Sequence, residues 1–244
     1  TKLINYDVFV DGKFHSLIDK IVKNDSITKY YISQDYYKIQ TNDTRLKSEK
    51  MKDTIKCYVS QQKGFEKYIE KTEIKKDITK WKVITARANG GKGCFGNTFI
   101  GSPNEVHTKS YISFNINSED EAKSLVSYMR CRLPNFMLSL RKPSQDISES
   151  TCKWIPLPPL NKEWTDEEVY KHFKLSHEDI KLIQETNIIG YNNIIKQTEV
   201  IVETTKPKRV SKKNTQEQEL VEPPIELKIK PKRVYKAKSK VETK

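Results

Sequence analysis

The chain has 244 residues, of which 45 are Lys or Arg and 32 are Asp or Glu, so its formal net charge is +13 and its pI is about 9.4. Hydrophobic residues make up 35% of it, and no apolar run reaches the roughly 18 to 20 residues that a membrane-spanning helix needs. We therefore expect a soluble intracellular protein with no membrane partner, and no secretory signal is recognisable at the start of the sequence.

The first predicted elements are strands separated by one short helix. β-Branched and aromatic residues alternate with polar ones over residues 6–10, 54–60, 81–86 and 110–116, a pattern that is typical of half-buried strands. Residues 15–23 instead have helical spacing. The apolar face of this helix would consist of Leu17, Ile18, Ile21 and Val22.

The second half of the predicted domain is helical. Ser118 and Glu121 form a capping-box sequence before a long apolar series, and Pro134 is expected to kink or divide the helix that follows. Two more capping-box sequences are the pairs Thr165 with Glu168 and Ser176 with Asp179. The sequence therefore predicts an α+β fold, with mixed, mostly antiparallel sheets followed by C-terminal helices.

The positive charge is concentrated at the end of the chain. Residues 206–244 contain 13 basic and 5 acidic residues, whereas residues 1–205 contain the other 32 basic and 27 acidic ones. The last segment has few large apolar residues, so we predict one domain over residues 1–205 and a disordered Lys-rich tail over 206–244. A Lys-Pro-Lys-Arg-Val cluster occurs in it twice, which is typical of nuclear localisation signals or nucleic-acid-binding arms. Its cations are Lys206, Lys208, Arg209, Lys230, Lys232 and Arg233. A tail that only improves solubility is the alternative.

A GxGxxG pattern at residues 91–96 follows a predicted strand. A dinucleotide site would need a helix to begin at these glycines, but residues 97–103 have the composition of a strand and a turn. We therefore predict a flexible loop that approaches a phosphate backbone or a base edge, with Arg87, Lys92 and Asn97 as contacts. An ordinary glycine-rich hairpin is the alternative.

A second polar group lies at a predicted helix end. Arg141 and Lys142 are followed by Ser144 and Gln145, so two cations precede a hydroxyl and an amide. Such a group can hold phosphates and read a base edge. The alternative is a cationic helix C-terminus that complements the helix dipole.

Metal-dependent chemistry has weaker sequence support. A small Mg²⁺-dependent endonuclease would need an acidic residue upstream of a Glu-x-Lys pair, and the matching residues are Asp53, Glu73 and Lys75. The spacing of Cys152, His172 and His177 matches no standard zinc finger, so we predict no metal site in this chain. The four cysteines form no CxxC pair, which favours buried, reduced thiols.

Several short motifs occur in a fixed order between residues 36 and 185. They are Ile-Gln-Thr-Asn at 39–42, the segment 60–64, Gly-Ser-Pro-Asn-Glu-Val at 101–106, the helical series 118–129, Ser-Leu-Arg-Lys-Pro-Ser-Gln-Asp at 139–146, Ile-Pro-Leu at 155–157 and Trp-Thr-Asp-Glu-Glu-Val-Tyr at 164–170. This series resembles the C-terminal target-recognition region of adenine-specific DNA methyltransferases and restriction enzymes of restriction-modification systems, a TaqI-like specificity domain. Ser144 departs from the usual threonine, and the basic tail is absent from the usual pattern.

The resemblance implies DNA recognition without catalysis. In the family, a separate domain binds S-adenosylmethionine and flips the target adenine. This chain has no Asn/Asp-Pro-Pro-Tyr/Phe motif, since residues 157–160 read Leu-Pro-Pro-Leu. We therefore expect no cofactor on this chain, S-adenosylmethionine on a catalytic domain or partner, and double-stranded DNA and a methyltransferase or nuclease domain or subunit as partners.

The leading hypothesis is a sequence-specific DNA recognition module of an adenine-N6 DNA methyltransferase. The predicted DNA contacts are Lys82, Arg87, Lys92, Asn97, Arg141, Lys142, Ser144 and Gln145. The alternatives are the small endonuclease and a non-catalytic nuclear protein that binds nucleic acid mainly through its tail. The basic tail suggests a cytoplasmic or nuclear location, in a viral or eukaryotic-host setting.

Overall fold

A computed structural model describes residues 8–60, 64–89 and 93–192. All of them belong to one compact unit, Thr1–Thr205. The predicted tail over residues 206–244, with the six cations of its two basic clusters, lies outside the described residues, as does Lys92.

The described residues form seven strands in two sheets. They are β1 (Tyr31–Ile32), β2 (Thr54–Tyr58), β3 (Glu66–Glu70), β4 (Trp81–Ala86), β5 (Thr98–Gly101), β6 (Val106–His107) and β7 (Tyr111–Ile116). The larger sheet has the order β1-β7-β4-β5 and is antiparallel throughout. The smaller sheet has the order β3-β2-β6, with β2 and β3 antiparallel and β2 and β6 parallel.

The larger sheet lies between the helices and the smaller sheet, and β4 shows why. Val83 belongs to the main hydrophobic core with Leu125, a residue of the helical half of the domain. Its neighbour Ile84 belongs to a second cluster that contains Tyr58 of β2. Because successive side chains of a strand point to opposite faces, one strand contributes to both layers. Both faces of β4 are therefore buried.

In the part of the chain that the structure describes, the α-helices follow the last strand, apart from α1 (His15–Ile21). They are α2 (Glu119–Arg130), α3 (Arg132–Arg141), α4 (Glu149–Cys152), α5 (Asp166–His172) and α6 (His177–Glu185). The predicted interruption is confirmed, but it lies at Cys131, three residues before the proline. Pro134 occupies the first turn of α3, where a backbone N–H has no partner within the helix and its loss costs little.

The predicted caps are confirmed for α5 and α6. The side chains of Thr165 and Ser176 each accept a bond from the third helical residue, whose own side chain returns to the cap. At α2 the box is incomplete, since Ser118 accepts from the Glu121 N–H while the Glu121 carboxylate accepts from Asn117.

The predicted strand at residues 6–10 is wrong over its described part, residues 8–10. Val8 and Val10 pack on the main core while Phe9 is 93% exposed, so the alternation of burial is present. No strand pairs with this segment in the part of the chain that the structure describes, and the residues lead instead into the 3₁₀ turn Gly12–Phe14. The α+β class itself is confirmed. No described helix is long and apolar enough to cross a membrane.

Candidate nucleic-acid interface

Several loops from both sheets meet at one end of the domain. Ala86, the last residue of β4, is paired with Tyr111, the first of β7. In the smaller sheet, Tyr58 at the end of β2 is paired with Glu66 at the start of β3, and its carbonyl accepts a 2.9 Å bond from the Thr108 N–H. Three loops are thereby brought to the same end: residues 59–65, 87–97 and 108–110.

A fourth loop, residues 142–147, is attached to the same end. Ala88 and Asp146 form an antiparallel bridge, and the Ile147 N–H donates to the Arg87 carbonyl at 2.7 Å. The Arg87 guanidinium also pairs with the Asp146 carboxylate at 2.9 Å. We call these four loops the basic loop end.

The described residues of the basic loop end have a small excess of positive charge. These residues contain three cations and the carboxylate of Asp146, and Lys109 is paired at 2.9 Å with a second carboxylate, that of Asp35. The cations are Arg87, Lys109 and Lys142. The loops at the opposite end, residues 48–53, 71–80, 102–105 and 117–118, contain six cations and five carboxylates, and the first turn of α2 adds three more carboxylates. The charge of the described residues is therefore polarised along the strands, mainly because the opposite end holds more carboxylates.

The structure brings together the predicted contacts Arg87, Asn97, Lys142, Ser144 and Gln145. Asn97, Ser144 and Gln145 are exposed, and Arg87 and Lys142 are partly exposed. Partial burial lowers the pKa of the Lys142 ammonium. These five residues bring two cations, a hydroxyl and two amides to one end of the domain, and these are the groups that contact phosphates and base edges.

The glycine-rich loop is anchored from below by Asn135. The wholly buried Asn135 accepts a 2.9 Å bond from the Phe95 N–H through Oδ1. Its amide nitrogen donates to the carbonyls of Met129 and Cys131 at 2.8 and 2.7 Å, where α2 ends. One side chain thus ties the loop to the junction of α2 and α3. In the described part of this loop, residues 93–97, no helix begins, and β5 follows at Thr98.

The turn between the two sheets is held by a buried histidine. His107 Nδ1 faces the Thr108 carbonyl at 3.0 Å, and Nε2 faces the Ser113 hydroxyl at 3.0 Å. Because a carbonyl only accepts, Nδ1 carries the proton and Nε2 of the neutral ring accepts from the hydroxyl. Burial lowers the pKa of His107 to about 4. The ring is therefore neutral at pH 7 and fixes the 108–110 loop.

The predicted DNA contact at Lys82 is wrong for this conformation. Its side chain is wholly buried, and its ammonium donates to the carbonyls of Ile78 and Lys80 at 3.2 and 2.6 Å. Lys82 is also paired with Gly101, at the end of β4 remote from the basic loop end. Burial lowers the pKa of Lys82 to about 8. A phosphate cannot reach this group while the sheet is intact.

Arg141 is likewise not a surface contact. The side chain is almost fully buried, Nε donates to the Ser150 carbonyl at 2.9 Å, and the guanidinium lies 4.4 Å from the centre of the Trp154 ring. Such stacking and bonding are typical of a structural arginine. The predicted role in DNA contact is therefore corrected to one in holding α3 against α4 and the residues after it.

An aromatic cluster beside the basic loop end was not predicted. It consists of Tyr58, Phe65, Phe99 and Tyr111, which we call the aromatic patch; the ring centroids of neighbouring members lie 4.9 to 5.7 Å apart. Tyr58 and Tyr111 are buried, whereas Phe65 and Phe99 are partly exposed. A sequence signal exists in the hairpin pattern of Tyr58 and Phe65 on either side of Lys63-Gly64.

The residues of the metal-dependent alternatives have other partners. Glu73 is paired with Arg45 at 3.3 Å, and the Lys75 ammonium donates to the Thr72 carbonyl at 3.0 Å. Asp53 is exposed, and its carbonyl accepts from Lys71. Within residues 8–60, 64–89 and 93–192, no group of three or more His, Cys, Asp or Glu residues is placed to hold a metal ion.

Comparison with known proteins adds no relative. No family model matches the sequence, and neither a curated protein nor a solved structure is significantly similar to it.

Proposed function

We propose that this chain is the sequence-specific DNA recognition module of a restriction-modification adenine-N6 DNA methyltransferase, and that the basic loop end contacts double-stranded DNA. The observation that carries the proposal is the polarised charge of the domain, because the end with a cation excess also holds the exposed amides Asn97 and Gln145. The ordered motifs that resemble target-recognition regions support the same interpretation.

Each group at the basic loop end has a distinct expected role. Arg87 and Lys142 neutralise phosphates, a contribution that is largely independent of sequence and that weakens with salt. The side-chain amides of Asn97 and Gln145 match the donor and acceptor pair of adenine in the major groove, and each such contact is worth about 1 to 3 kcal/mol of discrimination. Ser144 lies beside Gln145 and offers a hydroxyl to either a phosphate or a base.

Catalysis belongs to a partner in this proposal. S-adenosylmethionine is bound by a methyltransferase domain or subunit, and this chain supplies the choice of target sequence. The two basic clusters of residues 206–244 add phosphate contacts or direct the protein to a nucleus, so that the chain works wherever its DNA is kept, in a cytoplasm or a nucleus.

The experiment is selection of bound sequences from a randomised DNA duplex pool at near-physiological salt, with the full chain and with residues 1–205. We expect a short enriched motif with both proteins, and a shallower salt dependence for the shorter one. Enrichment by neither protein would overturn the proposal. Binding without enrichment, lost with the tail, would instead indicate a nucleic-acid binder that works through its basic clusters.

Matched variants separate base reading from phosphate binding. Gln145→Ala should relax the preference at one position of the motif, whereas Gln184→Ala, which changes an exposed glutamine of α6, should not. Lys142→Ala should weaken binding to all sequences and lower the salt slope by about 1, whereas Lys50→Ala at the opposite end should leave both unchanged.

A further inference from the structure

The aromatic patch is unusual because one of its two partly exposed rings is attached to an unfavourable backbone conformation. Phe65 has a φ of 58° and follows Gly64, which has a φ of 90°. A positive φ crowds the Cβ atom of any residue other than glycine, and asparagine tolerates it better than phenylalanine does. The sequence nevertheless has a large aromatic side chain at this position.

The surrounding backbone holds Phe65 in this conformation. The Phe65 N–H donates to the Ser60 carbonyl at 2.8 Å, and the Phe65 carbonyl accepts from the Val59 N–H at 2.8 Å. The ring leans on Tyr58 and Phe99, with centroid distances of 5.5 and 5.3 Å. The ring is therefore placed by fixed contacts, and strained positions of this kind are found where a side chain is used.

The patch adjoins the groups that we propose to read DNA. Phe99 follows Asn97 by two residues on the same chain segment, and it packs in one cluster with Ala86, the residue before Arg87. Tyr58 and Tyr111 form a buried base beneath the two partly exposed rings. The basic loop end thus combines cations, amides and open aromatic surface.

We propose that the aromatic patch receives the flat face of a nucleic-acid base that has left the duplex stack. This inference rests on the proposed function and deepens it. In an intact duplex the faces of the bases are covered by their neighbours, so exposed rings can stack only on a base that is unpaired or displaced. Cations beside aromatic rings are the combination that holds unpaired nucleotides, because they contact the backbone while the rings contact the base.

The experiment measures binding of the full chain to two duplexes that differ at one position. In the first, 2-aminopurine is paired with thymine; in the second, it faces an abasic site, so that it leaves the stack easily. We expect the second duplex to be bound about tenfold more tightly and its fluorescence to be quenched by stacking on an aromatic ring. Equal affinity for the two duplexes, with no quenching, would overturn the inference.

Three variants test the residues themselves. Phe65→Asn removes the ring and suits the positive φ, so the fold should be retained while the preference for the abasic duplex and the quenching are lost; Phe99→Leu should act in the same direction. Phe9→Leu changes a highly exposed phenylalanine outside the patch and should change neither. Retention of the preference in Phe65→Asn and Phe99→Leu would also overturn the inference.

The outcomes distinguish this inference from the proposed function. If the full chain enriches a sequence motif and binds the paired duplex but shows no preference for the displaced base, only the inference fails. If it binds neither duplex and enriches no motif, the proposed function fails as well.

Discussion

Replacement of Asn135 by alanine should destabilise the domain by more than the loss of a single hydrogen bond would, because the side-chain amide makes three. The change removes the partners of the Phe95 N–H and the Met129 carbonyl, and it removes one of two bonds of the Cys131 carbonyl, which as the N-cap of α3 also accepts the first bond of that helix. Each unsatisfied buried group costs about 1 to 3 kcal/mol, partly offset because the asparagine amide no longer has to be buried. We expect the free energy of unfolding to fall by about 2 to 5 kcal/mol.

The measurement is the midpoint of urea unfolding of the Asn135→Ala variant at pH 7, monitored by circular dichroism. Asn117→Ala is the control. Asn117 bonds to Lys80 on the exposed surface, so its loss should change stability by less than about 0.5 kcal/mol. Asn135→Asp keeps the acceptor for Phe95 but sets a carboxylate oxygen against two carbonyls. The Asn135→Asp variant should be at least as unstable as Asn135→Ala at pH 7. Its stability should recover partly in acid, because the protonated carboxyl group can donate one hydrogen bond.

A loss below about 1 kcal/mol in Asn135→Ala would refute this reasoning, because it would mean that the Phe95 N–H and the Met129 carbonyl find other partners. Hydrogen exchange gives a second readout. The Phe95 amide should exchange faster in the variant, since the bond that protects it in the folded domain is gone.

Three further changes have expected outcomes of the same kind. The pKa of His107 is lowered from 6.5 to about 4, so the folded state resists protonation, and the free energy of unfolding should fall by about 3 kcal/mol from pH 6.5 to pH 4. The His107→Gln variant lacks this titration, so the difference in unfolding free energy between it and the natural protein should become smaller over this range. A difference that stays constant with pH would contradict a neutral buried His107. The pKa of Lys82 is lowered from 10.5 to about 8, so the unfolded chain binds more protons than the folded one between these values. In urea titrations, the free energy of unfolding of the natural protein should rise by about 3 kcal/mol relative to that of Lys82→Met from pH 8 to pH 10.5. The same pH dependence in both proteins would exclude a neutral buried amine at Lys82. A Cβ at Gly93 would lie 3.0 Å from Ser139 Cβ, whereas one at Gly12 would meet nothing within 4 Å. Gly93→Ala should therefore lower the melting temperature, and Gly12→Ala should not. Equal melting temperatures would show that α3 shifts enough to accommodate the added methyl group.

The sequence was most informative where a local rule decides the structure. The boundaries of β4 follow from alternation over six residues, and α5 and α6 begin at Thr165 and Ser176 because a cap depends only on residues within one turn. Residues 6–10 have an equally good alternation. They fail as a strand over residues 8–10 because a strand also needs a neighbour, which alternation cannot supply.

The candidate site was harder to predict because burial of a charge is decided by distant residues. Lys82 has the same local pattern as an exposed lysine, but it lies on the same face of β4 as Ile84, which packs against Tyr58 of the smaller sheet, and this face is buried. Arg141 is buried against Trp154, thirteen positions along the chain. Arg87, Asn97 and Gln145 come together through the bridge between Ala88 and Asp146, and a single isolated bridge leaves no periodic signal in a sequence.

The unequal charge of the two ends has a consequence for rates as well as for affinity. A domain whose carboxylates are concentrated at the end opposite the basic loop end behaves as a dipole, and a polyanion turns it during approach so that the basic loop end arrives first. A larger fraction of encounters then occurs in a productive orientation, which raises the association rate constant at low ionic strength. Once the Debye length falls to about 8 Å at physiological salt, this guidance acts only over the final approach. Addition of salt should therefore lower the association rate constant of the folded domain far more than it raises the dissociation rate constant of the complex with a specific sequence, in which the side-chain amides contact the bases.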